Sequence, residues 1–322
     1  MEFGFAPVQS KASFESMRSQ AELAESLGFS TLWAHEHHYG RMMYPDPLMT
    51  LAALAPATRT IGLGTNMLLL PIHHPLRVAQ AAAMLDVLSD GRLKLGVANG
   101  YSPGDLQAFG VSAKQRGQRL EEGLLLIRRL WQGETVTESG NGYELDNYEL
   151  FPLPLQRPNP PIYVGGHAPV AIERAARLGD AYLISTTQKI SEIPALVAIY
   201  HDALAALGKA SRKPTLNRIV CVVDSAAQKE QAQAFYANAL LKLYDSWGHE
   251  SVTGLADAER ARQVLCDEHF ILGEPDACIE QIRRYEAMGI GHIACLMNFG
   301  GPDPELVERS MRLLGEQVMP RL

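Results

Sequence analysis

The sequence has no excess of basic residues and no long apolar run. Its 322 residues include 29 Lys and Arg against 36 Asp and Glu, a formal net charge of −7. Without a basic stripe to replace phosphate counterions, this balance argues against a nucleic-acid partner. No apolar run approaches the roughly 20 residues that span a bilayer, and the N-terminus lacks the pattern of a signal peptide. We therefore expect a cytoplasmic protein that binds neither membrane nor nucleic acid.

Cysteine is scarce and its spacing is irregular. The four cysteines are Cys221, Cys266, Cys278 and Cys295, and no C-x-x-C pair occurs. This distribution is typical of reduced core residues in a reducing compartment, not of disulfides or zinc ligands. We predict that all four are structural.

Short apolar strands alternate with longer segments of helical period along the chain. This rhythm predicts parallel strands joined by crossover helices. The eight predicted strands span residues 2–6, 31–34, 61–65, 93–98, 162–165, 181–185, 218–223 and 292–296. Residues 1–322 are therefore predicted to form a single α/β domain, a (β/α)₈ TIM barrel, since such barrels commonly exceed the usual domain length.

Two segments interrupt the strand and helix rhythm. Residues 135–151 alternate around Asn141-Gly142, a strong turn signal, and predict a β-hairpin insertion. Residues 248–270 are polar and far longer than the roughly two to six residues usual for an α/β connection. This second segment is predicted to be a long mobile loop that acts as an active-site lid, with a loosely packed surface excursion as the alternative.

Barrels of this kind carry their catalytic groups at the carboxyl ends of the strands. The residues that follow successive predicted strands are therefore the ones to inspect. They are His35-Glu36-His37-His38, Asn66-Met67, Asn99-Gly100-Tyr101, Gly165-Gly166-His167 and Ser185-Thr186.

The histidine-rich run after the second strand first suggests a metal site. His35 and His37 would share one face of an extended segment, and imidazole is a common metal ligand. A catalytic zinc usually needs three protein ligands, and the rest would have to come from His73-His74. We therefore predict no metal here. One or two of the three histidines are expected to be buried structural residues and at least one to line a polar cleft.

Two glycine patterns suggest other enzyme classes. Gly100-Tyr101-Ser102-Pro103-Gly104 matches the G-x-S-x-G pattern of serine hydrolases. However, Pro103 has no backbone N–H to donate to an oxyanion, which leaves a turn as the simpler interpretation. Gly62-Leu63-Gly64 lacks the third glycine of a dinucleotide fingerprint and precedes the strand end.

A glycine pair after the fifth strand predicts an anion site. In Gly165-Gly166-His167-Ala168-Pro169 the glycines follow a strand, and Pro169 stands where a helix would begin. Free backbone N–H groups and the helix dipole could receive a phosphate there. A tight turn without ligand is the alternative, but barrel phosphate sites form in such loops and favour the anion.

With these motifs, the chain resembles the bacterial luciferase-like family of flavin-dependent oxidoreductases over essentially its full length. The order and spacing of the matching segments make the resemblance specific. These segments are Glu36-His37-His38, Gly64-Thr65, Leu70-Pro71, His74-Pro75, Asp90-Gly91-Arg92, Phe109-Gly110, Pro161-Ile162-Tyr163-Val164, Gly273 with Pro275, and Val318-Met319-Pro320.

The resemblance implies a (β/α)₈ barrel, usually dimeric, that takes reduced FMN from a separate flavin reductase and reacts it with O₂. His37 matches the first histidine of the family's Glu-His-His motif, which lies by the flavin and assists proton transfer. Asn66-Met67 falls where members carry a non-prolyl cis peptide under the isoalloxazine ring. We predict His37 as the catalytic residue. The predicted cofactor-binding residues are Glu36, Asn66, Met67, Asn99, Gly100, Gly165, Gly166, His167, Ala168 and Ser185.

Two residues depart from the family pattern at the phosphate site. Asn99 stands where many members have a phosphate-binding arginine, and Ala168 stands where they often have serine. A charge-assisted and a neutral hydrogen bond would be lost. This predicts weak flavin binding, or a phosphate held by His167 and backbone alone. Ala98 replaces a cysteine of some luciferases, which argues against assuming light emission.

The predicted activity is flavin-dependent monooxygenation of a small organic substrate by a homodimer. The first alternative is hydride transfer with the deazaflavin F420 or with FMN and no oxygen, against which Glu36-His37-His38 favours the oxygenase. The second alternative is a degenerate, non-catalytic subunit, which the altered phosphate site favours. The sequence does not identify the substrate, because barrel loops vary while the fold is kept.

Overall fold

The computed structural model describes residues 1–8, 13–38, 44–247 and 258–322, and the side chains of all these except 243–247 and 258–261. The strands are β1 (Glu2–Phe5), β2 (Thr31–Ala34), β3 (Gly62–Thr65), β4 (Leu93–Val97), β5 (Val136–Gly140), β6 (Tyr143–Tyr148), β7 (Ile162–Gly165), β8 (Ala181–Ile184), β9 (Thr215–Val222), β10 (Phe270–Gly273) and β11 (His292–Cys295). The α-helices are α1 (Phe14–Ser26), α2 (Pro47–Leu54), α3 (Pro75–Leu88), α4 (Pro103–Ala108), α5 (Arg116–Trp131), α6 (Pro169–Leu178), α7 (Ile193–Ala206), α8 (Ala226–Trp247), α9 (Ala258–His269), α10 (Pro275–Ala287) and α11 (Pro304–Leu313). Across the described residues, we find no helix with the length and apolar character that a membrane span requires.

Eight of these strands form a closed parallel barrel. Their order around the ring is β1-β2-β3-β4-β7-β8-β9-β11, and β11 pairs again with β1. Thr215 at the start of β9 closes the ring, because it lies opposite both Leu183 of β8 and His292 of β11. The (β/α)₈ barrel predicted from the sequence is confirmed. The hairpin expected in residues 135–151 is the antiparallel pair β5 and β6, with Gly142 at positive φ in its turn.

The second half of β9 pairs with an additional strand, β10, that sequence analysis missed. Residues Ile219–Val222 pair in parallel with β10, which begins at the last residue of the predicted lid. Residues 248–257 of that segment lie outside the described residues, but α9 occupies 258–269, so the loop prediction is wrong there. The polar composition hid this helix, because few of its described side chains are buried: Leu265, Cys266 and His269.

A tryptophan fills the interior of the barrel. Trp33 of β2 is fully buried, and a Cβ added to Gly4 or to Gly64 would overlap its indole ring. The two glycines therefore leave room for the indole between neighbouring strands. Because the interior is packed in this way, a ligand has room only where the strands end. The four cysteines are also buried and free, as their spacing predicted.

The turn that leads into β3 is held by one carboxylate, which makes stability depend on pH. Glu25 of α1 accepts hydrogen bonds from the backbone N–H groups of Arg59, Thr60 and Ile61. Burial alone would raise the pKa of this carboxyl, but the three backbone bonds outweigh burial and lower the pKa to about 2. The folded protein therefore favours the ionised form.

We expect Glu25→Gln to destabilise the protein most at neutral pH. Since the folded-state pKa lies below the ordinary 4.5, the stabilisation is complete above 4.5 and is lost as pH falls through the folded pKa. Urea unfolding of the natural protein and the variant should therefore converge as the pH is lowered. A free-energy gap that stays constant from neutral pH down to about pH 3 would contradict this assignment.

Candidate functional site

A buried carboxylate connects the segments that follow β2 and β3. The side chain of Glu36 has no exposed surface. Its Oε1 accepts hydrogen bonds from His38 Nε2 and His73 Nε2, each at 2.7 Å, and its Oε2 accepts one from Leu69 N at 2.7 Å. Burial opposes ionisation of Glu36, but the bonds from His38 and His73 outweigh it and lower the pKa of the carboxyl. Glu36 is therefore an ionised anchor between two loops of the site.

The predicted catalytic histidine lies beside the loop that follows β4. His37 Nε2 is 3.4 Å from Tyr101 Oη, and the two rings meet edge to face. Burial lowers the pKa of His37, although the nearby carboxylate of Asp105 acts in the opposite direction. His37 is therefore a neutral imidazole at pH 7, which can accept a proton at one nitrogen and donate at the other.

The other two histidines of the run differ from His37 and from each other. Burial lowers the pKa of His35 to about 3, so its imidazole remains neutral at pH 7. The pKa of His38 is raised instead, by its hydrogen bond to Glu36. The three histidines of this run thus have different electrostatic environments, and their division into structural and cleft-lining residues stays a prediction.

The Asn66-Met67 peptide bond is cis and is held from across the barrel. The side-chain amides of Asn66 and Asn217 pair reciprocally, with Nδ2 to Oδ1 distances of 2.6 and 3.1 Å. Met67 packs directly over Gly165 of β7, where a Cβ would overlap its sulfur. The structure thereby brings together three predicted cofactor residues and adds Asn217. Sequence analysis missed Asn217 because the predicted strand began one residue later.

The glycine pair after β7 leads closely into α6. A Cβ on Gly166 would lie 2.5 Å from that of Ala171, so the backbone here approaches the helix without room for a side chain. Ala168 is the N-cap of α6 and offers no side-chain hydrogen bond. His167 and Ala168 are both exposed. The helix N-terminus is thus open to an anion, in the place predicted for a phosphate.

A cation missed by sequence analysis lies near Asn99. Arg116, the first residue of α5, donates from Nη1 to the carbonyl of Gly100 at 3.1 Å. Asn99 Oδ1 is buried and has no hydrogen-bond partner among the described residues. The next residue of α5, Gly117, lies against Arg174 of α6. Arg116 thus provides positive charge at the strand end where the predicted site lacked it. Sequence analysis missed Arg116 because it lies 17 positions after Asn99 in the chain.

Ser185 stands apart from the group around Glu36. Its hydroxyl accepts hydrogen bonds from the backbone and hydroxyl of Thr187, at 3.3 and 3.1 Å. Among the hydrogen bonds of the described residues, none joins Ser185 or His167 to the residues that follow β2 and β3. The predicted residues therefore form a central group at β2 to β4 and β7, with Ser185 at the neighbouring strand β8.

Comparison with known proteins gives a consistent set of relatives. Residues 2–292 match the sequence model of the luciferase-like monooxygenases. The chain is 27% identical to the oxygenase component of the flavin-dependent trigonelline monooxygenase of Acinetobacter baylyi, covering 96% of this chain and 90% of that one. It is 30% identical to an F420-dependent glucose-6-phosphate dehydrogenase of Nakamurella multipartita, covering 99% and 96%.

A solved structure shows the same fold. The oxygenating constituent of 3,6-diketocamphane monooxygenase from Pseudomonas putida, in complex with FMN, superposes with a TM-score of 0.86 at 20% identity. The match covers 100% of this chain and 98% of that one. At this identity the likeness concerns the barrel alone.

Proposed function

Because this chain belongs to the luciferase-like monooxygenase family, we propose that it is the oxygenase component of a two-protein flavin monooxygenase. It takes reduced FMN from a separate reductase and uses O₂ to oxygenate a small organic substrate. The relative named as an oxygenase component supports the division of labour. The four buried, free cysteines support a cytoplasmic location. The observation that carries the proposal is the pair of features at two neighbouring strand ends: the neutral imidazole of His37 after β2 and the cis Asn66-Met67 peptide after β3.

The residues at the strand ends fit FMN. The phosphate would be held by Arg116, by the backbone of Gly166 and by the open N-terminus of α6 at Ala168. The unpartnered Oδ1 of Asn99, next to Gly100, leaves an acceptor for a donor group of the flavin. The flavin ring would lie by the Asn66-Met67 peptide. When bound, reduced FMN supplies the electrons that activate O₂.

The chain's own residues then orient groups and move protons. His37 Nε2 accepts or donates the proton that the reaction moves, and Tyr101 Oη lies 3.4 Å from this nitrogen. Glu36 fixes the backbone around it through His38 and Leu69. These contacts fix the segment that carries His37, as the orientation of a catalytic group requires.

We assign the exclusion of water to α9, the described part of the segment predicted as a lid. The described part of this segment contacts the loop after β8: His269 Nδ1 donates to the carbonyl of Thr186 at 3.1 Å, and Glu268 accepts from Ser191. That loop carries Ser185, one of the predicted cofactor residues. The contact gives the segment a direct connection to the site, as a lid requires.

Anaerobic titration of the purified protein with reduced FMN, followed by mixing with O₂, tests this function. We expect saturable binding and reoxidation of the bound flavin that is slower than that of free reduced FMN. The named F420-dependent relative supports a second candidate, hydride transfer with F420. A difference spectrum with F420 but not with FMN would replace the first proposal by the second. Binding of neither would leave a non-catalytic subunit.

We also propose a homodimer that buries one apolar face of α3. Met84, Val87 and Leu88 are exposed at helical spacing, and Met49 of neighbouring α2 is exposed as well. Such a contiguous apolar surface is typical of an interface. Light scattering should give twice the mass of 35.3 kDa, and Leu88→Glu should halve it. Leu207→Glu, at the exposed C-cap of α7, should not. A monomeric natural protein would refute the proposal.

A further inference from the structure

The cluster of Glu36, His38 and His73 has the composition of a metal site. One ligand atom from each residue lies within 4.8 Å of the others. We propose that this cluster binds one divalent transition-metal ion of the zinc class, through Glu36 Oε1, His38 Nε2 and His73 Nε2. The proposal revises our expectation from the sequence that no metal binds here. The chain supplies the missing ligands through His38 and His73, not through His35 and His37.

The distances require only a small adjustment to hold an ion. Both Nε2 atoms lie 2.7 Å from Glu36 Oε1. Ligand atoms around a tetrahedral zinc are about 3.3 Å apart, so each imidazole must move outward by roughly half an ångström. The side chains of His38 and His73 are 13% and 30% exposed, which leaves a path for the ion and a position for water.

Neighbouring groups hold the side chains of Glu36 and His38 and the backbone of His73. The N–H of Leu69 holds Glu36 Oε2 at 2.7 Å and leaves Oε1 to face the imidazoles. The His38 ring packs edge to face against Phe109, with centroids 4.6 Å apart. The backbone N–H of His73 donates to Leu70 at 3.1 Å. Such outer contacts fix ligand orientation and strengthen metal binding.

The chemistry of the ligands selects the metal class. Two imidazoles and one carboxylate suit zinc and its first-row neighbours, whereas magnesium and calcium prefer oxygen ligands alone. The carboxylate of Glu36 would balance one positive charge of the ion. A bound ion would replace two hydrogen bonds by three coordinate bonds and fasten the segment after β2 to the segment after β3. The metal site shares Glu36 with the proposed flavin site, but it can be tested without flavin.

Zinc titration of untagged protein, without flavin, tests this site. By calorimetry we expect one Zn²⁺ per chain with micromolar or tighter affinity, and a rise in Tm with added zinc. His38→Gln and His73→Gln should each weaken binding by about 100-fold or more, because each removes one of three ligands. His74→Gln, an exposed neighbour, should change the affinity less than about twofold.

Cobalt provides a second readout that does not depend on stability. Co²⁺ bound to this ligand set should give visible d–d absorption that disappears in both His38→Gln and His73→Gln. Circular dichroism confirms that each variant is folded before titration. Absence of zinc binding, or binding that both variants retain unchanged, would overturn the proposal and leave the cluster as a hydrogen-bonded network.

Discussion

Replacing His37 with alanine should lower the rate of coupled substrate oxygenation by about 10²- to 10⁴-fold, the range attributed to a positioned acid or base. The imidazole is neutral at pH 7 because burial lowers its pKa, so it is available to accept a proton as well as to donate one. Its Nε2 lies 3.4 Å from Tyr101 Oη, which offers the route by which that proton reaches the mouth of the barrel. The methyl group of alanine provides neither function.

The effect should be on turnover and not on binding or folding. His37 makes no contribution to the phosphate site, so the dissociation constant of FMN should change little in His37→Ala. Stopped-flow measurement of product formation, together with an FMN titration, separates the two quantities. His201→Ala is a matched control, because His201 is a partly buried histidine of α7 that bonds the carbonyl of Arg212. Equal turnover in His37→Ala and the natural protein would remove His37 from the mechanism.

The barrel could be predicted because each of its units is encoded locally. Helices such as α3 begin at a proline, here Pro75, and end at a helix-breaking residue, here Ser89. The buried strands are short apolar runs. β10 was missed because its helix α9 is mostly polar and because the strand pairs only with half of β9. Its open edge is completed by a side chain: Gln281 bonds both the N–H and the carbonyl of Leu272. The periodicity of the sequence does not predict this contact.

The site could be predicted only as far as it is local. Glu36, His37 and His38 follow one strand, so their motif is visible in a single stretch of sequence. Their partners are not: His73 meets Glu36 across 37 positions and Asn217 meets Asn66 across 151. These contacts depend on how the strands close into a ring. The motif therefore indicated where the site lies, whereas the residues that orient the motif could be identified only from the three-dimensional structure.

Arg116 is the partner on which the flavin proposal most depends. Asn99 has no charge, and Ala168 has no hydroxyl, so the phosphate would otherwise meet only backbone and His167. We expect Arg116→Gln to raise the dissociation constant of FMN by about 10- to 100-fold, the loss of a charge-assisted hydrogen bond of roughly 1.5–3 kcal/mol. Fluorescence titration with FMN gives the value directly.

Riboflavin isolates the phosphate contribution, because it presents the same ring without the phosphate. Its affinity should be nearly equal in Arg116→Gln and the natural protein, so that the preference for FMN over riboflavin falls in the variant. Arg129→Gln is the control on the same helix, since Arg129 pairs with Glu134 and Glu138 at the far end of α5. Adding Asn99→Arg to Arg116→Gln should restore the preference, because it places a guanidinium at the same strand end. If Arg116→Gln weakens riboflavin and FMN equally, the arginine supports the loop through the Gly100 carbonyl and does not bind phosphate.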